Sequence, residues 1–133
     1  MTIQEIADFL CKRLIQEGFV VQRYDAYSTE SIYLKLDYGV CNSIRISNHP
    51  GKKYLKYRYN IGPHIKEHKS VQDKFPRYYY RADKVKNHMK KILEDRAEKK
   101  ERYGESMYQK YMEDNARNNS ENAGFWKKAR IVN

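Results

Sequence analysis

The feature that most constrains the fold is a strict two-residue alternation in Ser31 to Tyr38. Ile32, Leu34 and Leu36 fall on one face of an extended chain, which is typical of a strand that is buried on one side. Three further runs are rich in β-branched and aromatic residues and are bounded by turn residues. These runs are Phe19 to Tyr24, Val40 to Ser47 and Tyr54 to Ile61.

Helical periodicity is predicted on both sides of these strands. Thr2 and Glu5 form a capping-box pattern, and apolar residues then recur at spacings of three and four up to Gly18. A long helix is predicted over roughly Ala82 to Arg102. Residues 64 to 80 before it are predicted to be irregular or to contain a short helical turn, with Pro76 as a breaker.

The predicted architecture is an α+β fold with the order αββββαα. Its four-stranded antiparallel meander is covered on the apolar face by the N-terminal helix and the long C-terminal helix. The other face is expected to present Tyr33, Lys35, Arg45, Tyr54, Lys56 and Arg58. Residues 1–103 are expected to form this α+β domain, and residues 104–133 a C-terminal helix and a flexible tail.

Positive charge is concentrated in one third of the chain. Residues 52–91 hold thirteen Lys and Arg against three acids, a surplus of ten that equals the whole formal net charge of +10. The rest of the chain is neutral, so the charge is local and indicates a surface for an anionic partner. Tyrosines lie among these cations and are suited to stacking on unpaired bases.

The pattern therefore predicts nucleic acid, DNA or RNA, as the partner, or a host ribonucleoprotein. The predicted nucleic-acid-binding residues are Lys52, Lys53, Tyr54, Lys56, Arg58, Arg77, Tyr78, Tyr79, Arg81, Lys84 and Lys91. A purely structural alternative is that the tyrosines pack the sheet and the lysines solvate it.

Two other functions are weighed against this one. A protein-binding regulator would use the apolar stripe after Tyr103 and the only tryptophan, with Tyr108, Tyr111 and Trp126 as the contact residues, and this helix would also suit a homodimer. A small metalloenzyme would use the H-x-x-E-H pattern at His64, Glu67 and His68, but this needs a helix there and the surrounding cations oppose a dication. We expect no enzyme, no catalytic residue, no metal and no cofactor.

The expected compartment is the cytoplasm. No basic leader precedes an apolar stretch, and no run approaches the roughly 20 apolar residues that span a membrane. Cys11 and Cys41 lie within regular elements and are interpreted as reduced core residues.

A segment after the second strand resembles a known family. The residues Ile44-Arg45-Ile46-Ser47-Asn48-His49, followed by a strand rich in Tyr and Lys, are similar to a segment of the basic Cas9-inhibiting anti-CRISPR proteins of streptococcal phages. Small size and Tyr, Lys and Asn richness also resemble phage accessory proteins. The resemblance implies a phage-encoded anti-defence protein acting on a CRISPR effector in the bacterial host cytoplasm.

Overall fold

The first helix forms as its sequence predicts. A computed structural model describes residues 2–27, 30–48, 59–72, 75–118 and 127–133. Helix α1 spans Ile3–Gln16, and its capping box is complete: Thr2 Oγ accepts from the Glu5 amide at 3.1 Å while the Glu5 carboxylate accepts from the Thr2 amide. The apolar stripe of α1 is buried against the sheet, and Gly18 ends the segment with a φ of 83°.

The α+β class is confirmed, but the four-stranded antiparallel meander is wrong. The described residues form one seven-stranded sheet with the order β5-β6-β4-β3-β2-β1-β7. β3 pairs with β4 and β4 with β6 in parallel, whereas every other pairing is antiparallel. The strands are β1 Val21–Asp25, β2 Ser31–Leu36, β3 Ser43–Ser47, β4 Tyr59–Gly62, β5 His68–Gln72, β6 Phe75–Arg81 and β7 Arg130–Ile131.

The segment that was predicted to be irregular contains a hairpin, β5 and β6. β6 pairs with β4 only from Tyr78 onward, so Pro76 lies where β6 has a neighbour on one side only. A strand tolerates a residue without an N–H group at such an edge. The three consecutive tyrosines that follow Pro76 favour an extended chain.

Strand β2 ends two residues earlier than predicted. Asp37 and Tyr38 adopt positive φ angles of 51° and 54° and form a 3-10 turn with Gly39. Val40 lies beyond this turn, and β3 begins only at Ser43.

The hydrophobic core lies between one face of the sheet and helices α1 and α2. α2 spans Val85–Tyr103 and buries Val85, Met89 and Ile92 against this face. Strand residues at alternate positions supply the other half of the core. They include Val21, Ile32, Leu34, Leu36, Ile44, Ile46, Tyr59, Ile61 and Tyr80.

Helix α3, Glu105–Arg117, turns back at Gly104 and is anchored by the buried carboxylate of Asp37. Asp37 accepts from the Val20 amide at 2.9 Å and from the Tyr108 hydroxyl at 2.5 Å. The Arg96 guanidinium of α2 lies 3.4 Å from the same carboxylate. One side chain thus joins the turn after β2 to both C-terminal helices.

The C-terminal residues add a strand to the sheet. Arg130 and Ile131 form β7 and pair with β1. The Asn133 side chain accepts from the Val21 amide at 2.8 Å and donates to the Phe19 carbonyl at 2.6 Å. Among the described helices, none is long and apolar enough to cross a membrane.

His88 provides a test of the packing of α2. Its ring is 0% exposed, neither nitrogen has a hydrogen-bond partner, and it stacks on Tyr80 with ring centroids 4.7 Å apart. Burial lowers the pKa of His88 from 6.5 to about 3. Below pH 6.5 the unfolded chain therefore binds a proton that the folded chain does not.

We expect His88 to make the free energy of unfolding fall by about 1.4 kcal/mol for each pH unit between pH 6.5 and the folded pKa. His88→Phe keeps a ring in the stack and has no proton to gain. Urea denaturation measures the free energy of unfolding of both proteins from pH 7 to pH 4.5. The difference between the variant and the wild type should rise in favour of the variant by this slope as the pH falls. Parallel pH profiles of the two proteins would contradict the buried neutral state of His88.

Candidate nucleic-acid interface

Eight cationic side chains lie on β6, on or just before β5, and at the start of α2, and we call this end of the molecule the basic end. Arg77 and Arg81 lie on the face of the sheet opposite to α2, and Lys69 lies on the face that α2 covers. Each of the eight is exposed or half-buried. The members are Lys66, Lys69, Arg77, Arg81, Lys84, Lys86, Lys90 and Lys91. The hairpin places Lys69 and Arg77 on neighbouring strands, and α2 presents lysines along its exposed side.

Few carboxylates neutralise the basic end. Glu67 and Asp83 are the acids between residues 59 and 91 in the described part of the chain, and both are exposed. Arg81 lies 3.7 Å from Asp83, and both side chains are more than half exposed, so solvent screens this pair. Lys91 lies 3.4 Å from the buried Asp95. The surface retains a surplus of positive charge.

The first turn of α2 adds to this positive potential. It contains no acidic residue and has no side-chain cap, and a 3-10 turn, Ala82–Lys84, with the exposed Asp83 leads directly into it. The free N–H groups and the macrodipole at a helix N-terminus both favour an anion. Lys84 and Lys86 lie at this junction in the chain, so their charges and the helix dipole have the same sign there.

Tyr78 faces the helix-covered side of the sheet. Its ring stacks on Tyr59 with centroids 5.8 Å apart. The ammonium groups of Lys91 and Lys69 lie 5.0 Å and 5.7 Å from the centre of the same ring. Tyr78 is therefore half-buried and engaged within the protein, where it positions two lysines of the basic end.

Tyr79 points to the opposite face and is only 5% exposed. The exposed imidazole of His68 stacks on it, with ring centroids 4.2 Å apart and planes 11° from parallel. The ring presented to solvent is thus His68 and not Tyr79. Sequence reasoning missed His68, which the hairpin register with Tyr79 would have revealed.

Several predicted contact residues lie outside the described residues. These are Lys52, Lys53, Tyr54, Lys56, Arg58 and Trp126. Arg77 and Arg81 lie on the same face of β6 as Tyr79, whereas Lys91 lies over Tyr78 on the other face, and Lys84 lies just before α2. Lys66, Lys69, Lys86 and Lys90 are the further cations of the basic end.

The expectation that Lys35 and Arg45 are exposed on the polar face is wrong. They are 5% and 4% exposed, respectively, whereas Tyr33 beside them is half-buried. Alternation places a side chain on a face of the sheet, but it does not show whether that face is open to solvent.

The predicted partner-binding residues have different environments. Tyr108 is 2% exposed and bonds to Asp37, so it belongs to the interior. Tyr111 is exposed and meets Tyr103 edge to face, with centroids 5.3 Å apart. Met107 is also exposed on α3, and a shallow depression is lined by Val40, Asn115 and the two tyrosines.

The geometry needed for a zinc site at His64, Glu67 and His68 is missing. His64 lies in a turn and His68 begins β5, so the two histidines do not share a helical face. Within the described ranges, no group of three or more His, Cys, Asp or Glu side chains is arranged to hold a metal ion. Cys11 and Cys41 are buried and free, and burial raises the pKa of the Cys41 thiol to about 12.

Comparison with known proteins identifies no relative: no protein-family model, no curated protein and no solved structure matches the chain.

The stacked pair of His68 and Tyr79 yields a stability prediction. Tyr79→Ala should lower the free energy of unfolding by about 3 kcal/mol, because it empties a buried aromatic site. His68→Ala should lower the free energy of unfolding by no more than about 1 kcal/mol, because the ring is exposed and only its stacking is lost. Urea denaturation measures both values, and equal small losses would place Tyr79 at the surface instead.

Proposed function

We propose that this protein binds nucleic acid, free or within a ribonucleoprotein, through the basic end. The observation that supports this most directly is the presence of eight exposed or half-buried cations with two exposed carboxylates at one end of the sheet, in a chain whose residues outside 52–91 carry no net charge. Lysine and arginine at such a density neutralise phosphates and release condensed counterions, which favours binding. A surface evolved for solubility alone would mix charges of both signs.

The accessible groups define the mode of contact. Lys66, Lys69, Lys84, Lys86 and Lys90 are exposed point charges that suit phosphates without regard to sequence. His68 is the exposed ring at this end and supplies a platform for one unpaired base. Binding of this kind is mainly electrostatic and tolerates many sequences.

Charge reversal at the start of α2 tests the proposal. Lys84→Glu, Lys86→Glu and Lys90→Glu change three exposed positions, and the first two suit the helix macrodipole, so the fold is retained. Fluorescence anisotropy with labelled single-stranded and double-stranded DNA and RNA at several salt concentrations measures the effect. We expect much weaker binding and a slope of log affinity against log salt that is shallower by roughly 2 to 3.

The matched control changes the same net charge elsewhere. Lys12→Glu, Lys110→Glu and Lys128→Glu reverse three exposed lysines outside the basic end, and both triple variants have a formal net charge of +4 instead of +10. We expect the control to bind nearly as the wild type does, apart from a weaker long-range attraction. Equal losses in both variants would show that net charge, and not this surface, causes the binding.

The setting that we propose is inhibition of a nucleic-acid-guided defence complex of a bacterial host. The support is the resemblance of the segment from Ile44 to His49 to phage anti-CRISPR proteins, together with the basic end. A protein of this kind would occupy the nucleic-acid channel of the effector and compete with its target strand.

A second candidate function is protein binding through α3. Its support is the exposed cluster of Tyr103, Met107 and Tyr111, since aromatic residues and methionine are enriched at the centres of protein interfaces. In this case the basic end would only steer association.

Binding to a guide-loaded CRISPR effector nuclease separates the two candidates. If the basic end drives binding, the triple lysine variant should lose affinity for the complex, whereas Tyr103→Ser with Tyr111→Ser should keep it. Tyr27→Ser serves as the control, because Tyr27 is 101% exposed and lies far from α3 in the chain. The opposite result, with the α3 variant alone impaired, would favour the protein-binding function.

A further inference from the structure

Arg45 is a buried cation for which the described residues supply no counter-charge. Its guanidinium is 4% exposed, and its Nε and Nη1 atoms have no hydrogen-bond partner. The contact made by Nη2 is a long one, 3.3 Å to Ser31 Oγ. A guanidinium has five N–H donors and is charged at every physiological pH, so most of its bonding capacity is unused.

Arg23 shows how the same sheet satisfies a buried arginine. It lies on the helix-covered face, where its guanidinium contacts the carboxylates of Asp8 at 2.7 Å and Asp25 at 2.8 Å. Arg45 has no such partner: no Asp or Glu occurs among the described strand residues of its face. Burying an unpaired charge is costly, so an anion that reached Arg45 would be bound favourably.

The neighbours of Arg45 define what that anion must offer. Lys35 is a second buried cation on the same face. Asn60 is the register partner of Arg45 on β4, and its Oδ1 atom is a buried acceptor without a donor. The hydroxyls of Ser31 and Ser47 lie 3.2 Å apart on the other side of the guanidinium. The missing ligand is negative, accepts several hydrogen bonds and donates at least one.

We propose that Arg45 is the centre of an anion site that takes a phosphate-class oxyanion, with hydrogen phosphate as the ligand that fits best. Its oxygens pair with the edges of the guanidinium fork, as oxyanions do with arginine. Its remaining O–H group donates to Asn60 Oδ1. Sulfate has no O–H group at neutral pH and leaves that acceptor unpaired.

The site goes beyond the proposed function. Arg45 lies on β3, two strands away from β6, and is not a member of the basic end. Of its two register neighbours, Tyr33 is half-buried and Asn60 is 1% exposed. Tyr33 is thus the more exposed of the two register neighbours of the proposed site.

The test follows the side-chain Nε–H resonance of Arg45 in the full chain by NMR, assigned through its backbone connection. Inorganic phosphate should shift this resonance in a saturable way, whereas potassium chloride at equal ionic strength should not. Sulfate should bind at least tenfold more weakly. Phosphate at about ten times its Kd should also raise Tm by about 4 °C in the wild type.

Two variants locate the effect. Arg45→Lys keeps the charge but loses the fork, and its affinity for phosphate should fall at least tenfold. The triple variant Lys84→Glu, Lys86→Glu and Lys90→Glu should respond to phosphate as the wild type does. Nucleic-acid binding by the triple variant therefore tests the basic end, whereas its response to phosphate tests the Arg45 site, and either proposal can fail without the other.

Two further outcomes are informative: one identifies the source of the phosphate, and the other overturns the proposal. A short oligonucleotide that shifts the Arg45 resonance more strongly than inorganic phosphate would identify a nucleic-acid phosphate as the occupant and overturn hydrogen phosphate as the ligand, because a phosphodiester has no O–H group to donate to Asn60. A resonance that neither probe shifts, with Tm unchanged by phosphate, would overturn the proposal. In that case the side-chain oxygen of Asn60, Oδ1, would be the acceptor for the Arg45 guanidinium.

Discussion

The carboxylate of Asp37 is the interaction on which the rest of the structure depends. It lies fully buried in a turn with positive φ and receives bonds from the link between α1 and β1 and from α3, with the guanidinium of α2 close by. A buried carboxylate with this many donors is stable only when all of them are present. The turn after β2, the two C-terminal helices and the edge of the sheet are therefore held in one arrangement.

This arrangement also sets the direction of α2, and thus the position of the basic end. α2 is held near its C-terminal half by Arg96 at Asp37 and by Lys99, which donates to the Val40 carbonyl at 2.7 Å. Its N-terminal half packs through Val85, His88 and Met89 against Tyr80 and the core. Because both halves are fixed, the lysines of the first turns stand beside the β5–β6 hairpin.

Local patterns in the sequence predict local structure well. The capping box at Thr2, the alternation at Ile32, Leu34 and Leu36, and the break at Gly104 all appear in the structure. The parallel pairings of β4 could not be predicted, because strand partners far apart in the chain leave no local signal. The β5–β6 hairpin was missed for another reason: Pro76 was interpreted as a break, although an edge position accommodates it.

In the candidate site, too, features that are local in the sequence could be predicted, and those that depend on distant parts of the chain could not. Charge density along the chain identified the basic end, since the cations of a hairpin and the helix that follows it are also neighbours in sequence. Which tyrosine faces which side depends on strand register, so Tyr78 and Tyr79 were assigned to stacking roles that their packing does not leave open. The burial of Lys35 and Arg45 depends on what surrounds the polar face, which no spacing of residues reports.

The pairing of β7 with β1 has a consequence for folding during synthesis. Val21 bonds to Asn133 across 112 residues, so the outer edge of β1 is paired only after the residues up to 133 have been made. The local hairpins β1–β2 and β2–β3 can form much earlier, because little chain entropy is lost in closing them. Until β7 arrives, the nascent chain presents an open strand edge, a template for pairing with other chains that the ribosome and chaperones must shield.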